Sequence, residues 1–368
     1  MAVKRSHNFS SGIVGLPNVG KSTIFNALTK LSVPAENFPF CTIDKNVGVV
    51  EIPDDRLKKM AEFFNAQKVV PSAMTFVDIA GLVKGASRGE GLGNQFLAHI
   101  REVDVIMYIL RAFESKSIVH VYERISPLDD FDIVQSELIL KDIEGVSKRF
   151  DIVEKLARIG ESNAQKEVDL LSKVLENLNK GIPVVDMNLT AEENDILYDL
   201  HLLTGKKRFF ILNCKDGSDI EKIEEWKGEL IQKTGDTVLV VDAKILDEMS
   251  NLNEEEKEEY QELLSGNSAT AEDIISNMYQ TLNLITFYTG SSKECNAWSI
   301  ESGATAKEAA GVIHTDFEHG FISAEVVNVD VLIENGGWNG AKEKGLIKSV
   351  GKDYIVQDGD YMVILANR

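Results

Sequence analysis

The stretch "GLPNVGKS", residues 15 to 22, constrains the fold of this chain more than any other. It fits the pattern G-x-x-x-x-G-K-[ST] at every fixed position, which chance would produce in a chain of this length about once in a hundred. The stretch follows the apolar run "GIVG" and opens the helical pattern "KSTIFNALTK". A loop between a buried strand and a helix N-terminus points backbone N–H groups at an anion. The pattern therefore predicts a phosphate-binding loop, and the alternative is a glycine-rich strand-to-helix turn.

The residue types in this loop suit a nucleoside triphosphate. Lys21 would reach the β and γ oxygens of the phosphates, and the hydroxyl of Ser22 would hold Mg²⁺. We assign nucleotide contacts to six consecutive residues, which are Asn18, Val19, Gly20, Lys21, Ser22 and Thr23.

A second motif, D-x-x-G, occurs at Asp78 and Gly81 in "VDIAGLVKG". Beside a phosphate loop, Asp78 would act on Mg²⁺ through water and the Gly81 N–H would contact the γ-phosphate. Five glycines between residues 81 and 93 predict a segment that changes conformation when the γ-phosphate leaves, although a merely floppy loop would have the same composition. Ras-like enzymes place a water-orienting glutamine after this glycine. Here Leu82 follows, so another group must orient the water.

Residues 10 to 126 alternate short apolar runs with helical patterns. The apolar runs include "VGVVEI", "MTFVDI" and "VIMYIL", and the helical patterns include "KSTIFNALTK" and "GNQFLAHIREV". This alternation is typical of βαβ units, so we expect a parallel sheet with helices on both faces. Strands return at "RFFILN" (208 to 213) and "TVLVVDAK" (237 to 244), which would complete the same sheet.

Residues 142 to 180 have a different pattern. Apolar residues recur at steps of three and four on both sides of the polar link "GESNAQKE". They are Ile143, Val146, Phe150, Val153 and Leu156 before the link, and Val168, Leu171, Leu175 and Leu178 after it. This periodicity predicts an antiparallel helical hairpin that interrupts the sheet domain.

The pattern changes again after about residue 284. The runs "LITFYTG" and "CNAWSI" predict two paired strands, and Thr305 with Glu308 predicts a capping box at the start of a helix. The run "YIVQDGDYMVIL" predicts a hairpin that turns at Asp358 and Gly359. We therefore expect a small α+β module at this end of the chain.

Composition and charge argue against several classes of protein. The longest apolar runs have the length of a strand, and "MAVKRSHNFSSG" contains no apolar stretch typical of a signal peptide. We expect a cytoplasmic protein without a membrane span. The formal net charge of −20 argues against a general nucleic-acid coat. Cys41, Cys214 and Cys295 are far apart in sequence, so we predict reduced thiols and no zinc site.

Several phrases resemble one known family. The phrases are "GIVGLPNVGKST", "NFPFCTID", "DIAGLVKGAS", "GEGLGNQFL" and "GATAKEAAGVIHTDFEHGF". They are similar to the Obg-like ATPases, the YchF family of translation-factor-class P-loop NTPases, and the resemblance covers nearly the whole chain. It implies a P-loop G-domain with a parallel sheet, an inserted helical coiled hairpin and a C-terminal β-grasp domain of the ubiquitin-like TGS type.

The resemblance also implies domain boundaries. The G-domain would comprise residues 1–126 and 204–283, the coiled insert residues 127–203, and the TGS domain residues 284–368. By the same resemblance, Thr42 in "PFCT" becomes the residue that binds Mg²⁺ and the γ-phosphate. The position of His120 in "SIVHVYERI" is similar to that of the group that orients the water in this family. Without the resemblance, His120 would be interpreted as a packing residue at a strand edge.

The segment that reads the base departs from two patterns. GTPases use N-K-x-D, whereas this family typically carries N-x-x-E and accepts adenine; here the residues are Asn213, Cys214, Lys215 and Asp216. Guanine offers hydrogen-bond donors to an Asp carboxylate, whereas adenine offers none at N1 or C2. The position of the carboxylate therefore decides between ATP and GTP, and we place ATP first. "VVDAK" (240 to 244) resembles the loop that closes over the base in GTPases.

The sequence thus indicates a slow, Mg²⁺-dependent nucleoside triphosphatase that acts as a regulatory switch. Lys21, Gly81 and His120 would carry catalysis. Asn18, in the context N-x-G-K-S, would either hold a K⁺ ion that activates turnover, as in related NTPases, or only shape the loop. The resemblance implies association with the ribosome, and we expect a monomer. Two other classes remain open: a nucleotide-gated binding protein with negligible hydrolysis, and a small-molecule phosphotransferase, which would need an Arg-rich lid that the sequence lacks.

Overall fold

A computed structural model describes most of the chain. The described residues are 9–30, 46–79, 92–115, 122, 124–161, 163–215, 217–253, 255–256 and 268–367. The assignments made for Thr42, Gly81, His120 and Asp216 lie outside these residues, and so does the interpretation of Leu82.

The described residues form twelve strands. They are β1 (Phe9–Val14), β2 (Val47–Glu51), β3 (Lys68–Val70), β4 (Ala73–Asp78), β5 (Val105–Arg111), β6 (Lys207–Cys214), β7 (Val238–Asp242), β8 (Leu284–Gly290), β9 (Glu294–Glu301), β10 (Phe321–Asn328), β11 (Lys348–Val350) and β12 (Asp360–Ala366).

Thirteen α-helices accompany these strands in the described part of the chain. They are α1 (Lys21–Thr29), α2 (Asp55–Phe64), α3 (Leu92–Glu102), α4 (Pro127–Arg158), α5 (Ala164–Asn179), α6 (Ala191–Leu197), α7 (Ile220–Thr234), α8 (Ala243–Met249), α9 (Ala271–Thr281), α10 (Ala306–Ile313), α11 (Thr315–His319), α12 (Val329–Glu334) and α13 (Trp338–Glu343). Short 3₁₀ turns cover Val184–Asp186, Tyr198–Leu200 and Leu203–Gly205.

The first sheet has the strand order β2-β4-β1-β5-β6-β7. Strand β1 pairs with β5, β5 with β6 and β6 with β7, and all three pairs are parallel. Every residue of β5 is buried, as expected for a central strand covered on both faces. The predicted parallel sheet is therefore confirmed at its centre.

The edge of this sheet differs from the predicted pattern. The Asp78 N–H donates to the Asn46 carbonyl over 2.9 Å, and the Ile52 N–H donates to the Ser72 carbonyl over 2.8 Å. Because the residue numbers rise along one strand as they fall along the other, β2 and β4 run antiparallel. If β2 and β4 were parallel, the segment between them would have to cross over and pack on the first sheet. That segment instead contains β3, which joins the second sheet.

The predicted helical hairpin consists of α4 and α5, joined by residues 159–163. Its buried core contains Val146 and Val153 of the first helix and Leu171, Val174 and Leu178 of the second. Helix α4 begins at Pro127, fifteen residues before the start at 142 that the periodicity predicts. The early part of this helix also buries Phe131, Val134 and Leu138, and Ile139 belongs to the hairpin core.

Asp142 attaches the hairpin to the chain that returns to the first sheet. Its carboxylate is buried and accepts hydrogen bonds from the Leu203 N–H over 2.9 Å, the Thr204 N–H over 2.8 Å and the Thr204 hydroxyl over 2.7 Å. These bonds satisfy the donors of a turn that precedes β6. A buried carboxylate with three donors is well compensated for the loss of water.

The second sheet has the strand order β11-β10-β12-β8-β9-β3. Strands β8 and β9 are antiparallel, β10 is antiparallel to both β11 and β12, and β12 lies parallel beside β8. The first and last strands of the module are therefore parallel neighbours at the centre, with α10 between β9 and β10 in sequence. This is the predicted β-grasp order, and the predicted capping box of Thr305 and Glu308 begins α10.

The predicted hairpin at Asp358 and Gly359 is wrong. Strand β12 pairs with β10 and β8, while Ile355 forms an isolated bridge to Thr305. The Asp358 carboxylate accepts from the Thr286 N–H over 2.9 Å and lies 2.6 Å from Arg56 Nη1. The segments before and after the turn both pair with distant parts of the β-grasp sheet. The local turn therefore does not make them pair with each other.

The chain divides into two compact units. The first contains Ser10–Gly48 and Phe76–Ile274, and the second contains Val49–Thr75 and Ile275–Arg368. Residues 49–75 therefore belong with the C-terminal part of the chain, while the boundaries drawn from sequence stay predictions. None of the described helices combines the length and the apolar character needed to cross a membrane.

Candidate nucleotide-binding site

The loop between β1 and α1 has the backbone that the phosphate-loop pattern requires. Asn18 has a φ of 63° and Gly20 a φ of 101°. A Cβ atom on Gly15 would lie 2.4 Å from the Ile109 carbonyl oxygen, and one on Gly20 would lie 2.2 Å from Asn213 Nδ2. Both positions therefore favour glycine, since a side chain would press on the backbone of β5 at Gly15 and would displace the Asn213 side chain at Gly20.

Lys21 folds back over the loop that precedes it. Its Nζ donates to the Leu16 carbonyl over 2.9 Å, and the side chain is buried at 8% exposure. Burial lowers the pKa of the Lys21 ammonium, while the charge of Asp78 opposes that shift. An ammonium held at a helix N-terminus in a partly desolvated loop is suited to pair with phosphate oxygens.

Ser22 and Asp78 meet beside this lysine. The Ser22 hydroxyl donates to Asp78 Oδ2 over 2.8 Å, which joins the first turn of α1 to the end of β4. The second oxygen, Asp78 Oδ1, is buried and has no hydrogen-bond partner among the described residues. A hydroxyl and a carboxylate with a spare oxygen are hard oxygen donors, which Mg²⁺ prefers. The residues present therefore fit a magnesium ion.

Asn213 connects three elements around the loop. Its Nδ2 donates to the Val19 carbonyl over 2.7 Å, and its Oδ1 accepts from the Ala243 N–H over 3.1 Å. Since the side chain is buried at 3% exposure, these two bonds fix its orientation. The residue assigned to the base thus also holds the phosphate loop against the start of α8.

The "VVDAK" segment forms the turn from β7 into α8. The Asp242 carboxylate accepts from the Lys244 and Ile245 N–H groups over 2.9 and 3.2 Å and so caps the helix. Cys214 lies opposite Asp242 in the adjacent strand. Burial, and secondarily the charge of Asp242, raises the pKa of the Cys214 thiol to about 11. The end of α1 is also tied to α8, through an ion pair of 2.7 Å between Lys30 and Asp247.

The structure thus brings several of the predicted residues together. Val19, Gly20, Lys21, Ser22, Asp78 and Asn213 form one connected cluster of contacts, while Asn18 and Thr23 lie exposed on the loop and the first helical turn. Sequence reasoning did not assign a role to Asp242. An Asp directly after a strand and before a helical pattern is an N-cap signal that would have found it.

The carboxyl end of β5 lies at the same edge as the phosphate loop. Strands β1 and β5 are parallel, and the Ile109 carbonyl lies against Gly15. Arg111 ends β5 with 2% exposure, donating from Nε to the Phe113 carbonyl over 3.1 Å. The connection that leads toward position 120 therefore leaves the sheet at the edge where nucleotides bind in folds of this class.

Comparison with known protein families finds two matches. Residues 10–214 match the family described as "50S ribosome-binding GTPase". Residues 284–367 match the C-terminal family of YchF GTPases, described as "Protein of unknown function (DUF933)". The two matches leave residues 215–283 between them unmatched.

Individual relatives are similar over nearly the full length. The protein named "Ribosome-binding ATPase YchF" from Bacillus subtilis is 45% identical over 360 residues, which cover 95% of this chain and 97% of the relative. The protein of that name from Escherichia coli O157:H7 is 44% identical, with coverage of 98% and 99%. The solved structure of the Schizosaccharomyces pombe YchF GTPase superposes with a TM-score of 0.84 at 34% identity, and covers 98% of each chain.

Proposed function

The chain belongs to the YchF family, and from this premise we propose that it is a P-loop nucleoside triphosphatase that hydrolyses ATP and associates with the ribosome. The contact of Ser22 with Asp78, beside the buried Lys21, is the observation that carries the hydrolytic part of the proposal. It unites the phosphate loop with the D-x-x-G motif, as a triphosphate site requires. Relatives named ribosome-binding ATPases support the rest.

The residues of the loop would divide the work of binding. The N–H groups of residues 18–23 would surround the phosphates, and Lys21 would exchange the Leu16 carbonyl for β and γ oxygens. Ser22 and Asp78 would hold Mg²⁺, which neutralises charge that develops on the transferred phosphoryl group. Thr42 and the Gly81 N–H would complete the contacts to the γ-phosphate. Catalysis of this kind consists mainly of positioning and charge stabilisation.

The attacking water needs a polar group, because Leu82 offers none. We assign this role to His120, which follows β5 along the chain from the phosphate-loop edge of the sheet. An imidazole can accept a proton from water or orient it by a hydrogen bond. Asn18, exposed on the loop with its left-handed backbone, is the candidate for holding K⁺ beside the phosphates.

The base would lie near Asn213, Cys214 and the turn at Ala243. Both polar atoms of the Asn213 side chain already have partners in the protein, and the Ala243 N–H is one of them. Selection between adenine and guanine would therefore depend on the position of Asp216. An Asp216→Ala variant should keep its ATP affinity within a few fold and lose GTP affinity, because only guanine offers donors to that carboxylate.

The proposed partners are ATP, with GTP as the second choice, and the ribosome or one of its subunits. We propose a cytoplasmic location, where the ribosome is found, and a monomer in solution. The coiled insert and the β-grasp module would supply the contacts with the ribosome.

One set of measurements tests the function. Affinities for ATP and GTP are determined side by side in Mg²⁺, and phosphate release is followed in the same samples under single-turnover conditions. Tight ATP binding with slow phosphate release supports the proposal. Tight binding without release would indicate a nucleotide-gated binding protein, and a preference for GTP would reverse the substrate assignment.

A further inference from the structure

Residues 49–75 form part of the hydrophobic core of the second unit. Leu57 and Met60 of α2 are buried at 3% and 0% exposure, in a cluster that includes Tyr288, Ala297 and Tyr361. On the opposite face of the sheet, a second cluster that includes Met362 is built from residues after 284 alone. One face of the β-grasp sheet is therefore covered by α2, which lies in sequence between the phosphate loop and the D-x-x-G motif.

Polar contacts fix the same segment within the second unit. The Arg56 guanidinium binds the Asp358 carboxylate with both amino groups, over 2.6 and 3.2 Å, and the Tyr288 hydroxyl donates to Asp54 Oδ2 over 2.5 Å. Strand β3 pairs in parallel with β9, with Val69 opposite Cys295. The segment is thus held by a helix face, an ion pair and a strand ladder.

The same segment leads directly to the magnesium ligand. The chain enters the second unit after residue 48 on β2 and leaves it at residue 76 on β4. Asp78 lies two residues beyond that exit, its N–H bonded to Asn46 and its carboxylate to Ser22. At the entry, a Cβ atom on Gly48 would lie 1.9 Å from Thr29 Cγ2, so β2 also packs closely on α1.

We propose that the packing of residues 49–75 in the second unit positions Asp78 at the phosphate loop. The proposal rests on the function assigned to Ser22 and Asp78, and it adds a regulatory link. A partner that binds the second unit and loosens α2 would weaken Mg²⁺-dependent nucleotide binding, and by reciprocity Mg²⁺–nucleotide would stabilise the packing of α2. Met60 and Arg56 would then be positioning residues that act through Asp78.

A matched pair of methionines tests the link. Met60→Ala and Met362→Ala remove the same buried side chain from the two faces of one sheet, and only Met60 lies on the connecting segment. The dissociation constant of a non-hydrolysable ATP analogue is measured for each full-length variant, in Mg²⁺ and again in EDTA. Because Asp78 acts through Mg²⁺, loss of a residue that positions Asp78 should change only the dissociation constant measured in Mg²⁺.

We expect Met60→Ala to weaken the affinity in Mg²⁺ by about fivefold or more, a common size for coupling between sites. The affinity in EDTA should stay at the parental value, and Met362→Ala should match the parent in both conditions. The link would be overturned if Met60→Ala lost no affinity, or lost equal affinity in Mg²⁺ and in EDTA. It would also be overturned if Met362→Ala lost as much affinity as Met60→Ala. A parent that binds no nucleotide would instead refute the proposed function.

If Met60→Ala fails to fold, a second pair of variants tests the link at partly or largely exposed ion pairs, where a substitution leaves the core intact. Arg56→Met removes the ion pair with Asp358 and keeps the apolar stem, whereas Lys58→Met removes only an exposed pair with Asp55 on the same helix. Arg56→Met should reduce the Mg²⁺-dependent affinity and Lys58→Met should not. The same affinity in both variants would contradict the positioning role.

Discussion

The amide of Asn213 donates from Nδ2 to the carbonyl oxygen of Val19 over 2.7 Å, and so ties β6 to the phosphate loop. The bond passes directly beside Gly20, where a Cβ atom would lie 2.2 Å from the same nitrogen. The phosphate loop is therefore shaped by a residue 194 positions away in sequence. Small changes at Gly20 or Asn213 should consequently act on nucleotide binding as well as on stability.

Gly20→Ala should weaken ATP affinity by more than about tenfold, because the methyl group displaces Asn213 and the φ of 101° disfavours a side chain. Gly181→Ala is the control, since its φ of 79° is also positive and disfavours a side chain, but nothing lies within 4 Å of an added Cβ atom. Isothermal titration with an ATP analogue compares the two variants. Parental affinity in Gly20→Ala would show that the loop tolerates a displaced Asn213.

Lys21→Ala should abolish tight triphosphate binding, because it removes the ammonium that faces the β and γ oxygens. Lys30→Ala serves as the control at the other end of α1, where Lys30 pairs with Asp247 at the surface. Equilibrium binding of a fluorescent ATP analogue measures both variants. Unchanged affinity in Lys21→Ala would remove this lysine from the site.

His120→Ala should lower kcat by about a hundredfold while nucleotide affinity stays nearly unchanged, as for the loss of a positioning or acid–base group. Leu82→Ala should have a smaller effect on the chemical step, because an apolar side chain cannot orient water. Single-turnover hydrolysis distinguishes the two variants. If His120→Ala hydrolyses at the parental rate, another group orients the water, and the next candidates are the backbone and the cations Lys84 and Arg88 of the glycine-rich segment between residues 81 and 93.

Asp142→Ala should destabilise the protein by about 3 kcal/mol, because three buried donors on Leu203 and Thr204 lose their acceptor. Asp151→Ala, on an exposed position of the same helix, should stay within about 0.5 kcal/mol of the parent. Urea unfolding followed by circular dichroism measures both. A loss in Asp142→Ala no larger than in the control would show that water replaces the carboxylate.

The Cys214 thiol should react slowly with iodoacetamide at pH 8. Its pKa is raised to about 11, so the thiolate fraction there is about one in a thousand. The pKa shift is upward because burial favours the neutral thiol over the thiolate. The reaction rate should therefore rise about tenfold per pH unit until the pH reaches the pKa. Mass spectrometry of the Cys214 peptide follows the modification. Rapid reaction at neutral pH would contradict the assigned burial.

Features that depend on neighbouring residues could be predicted from the sequence. The phosphate loop is one continuous motif of eight residues, so its presence between a strand and a helix could be predicted from those residues alone. The capping box at Thr305 and the two hairpin helices likewise rest on local spacing. Such features need no knowledge of distant contacts, since helix caps and periodic apolar faces stabilise their own segment.

The strand partners could not be predicted in the same way. The run from Tyr354 to Leu365 contains a good turn, yet its arms pair with Thr305, β8 and β10 instead of each other. Likewise, the alternation over residues 10 to 126 predicts strands of one sheet, whereas β3 pairs with β9 in the second sheet. In both cases the strand pairing depends on which distant apolar surface each segment covers. Burial of that surface outweighs the preference of the segment for a local turn or crossover.

By itself, the sequence determined that this chain carries a phosphate loop, a D-x-x-G motif, a helical hairpin and a small α+β module, which the family resemblance identified as a β-grasp. Only the tertiary structure decided that Ser22 meets Asp78, that Asn213 braces Val19, and that residues 49–75 pack in the second unit. Motifs are local because a few adjacent backbone groups bind a phosphate. Their relative positions are not local, because they depend on hydrogen bonds and buried surfaces shared by residues far apart in the chain.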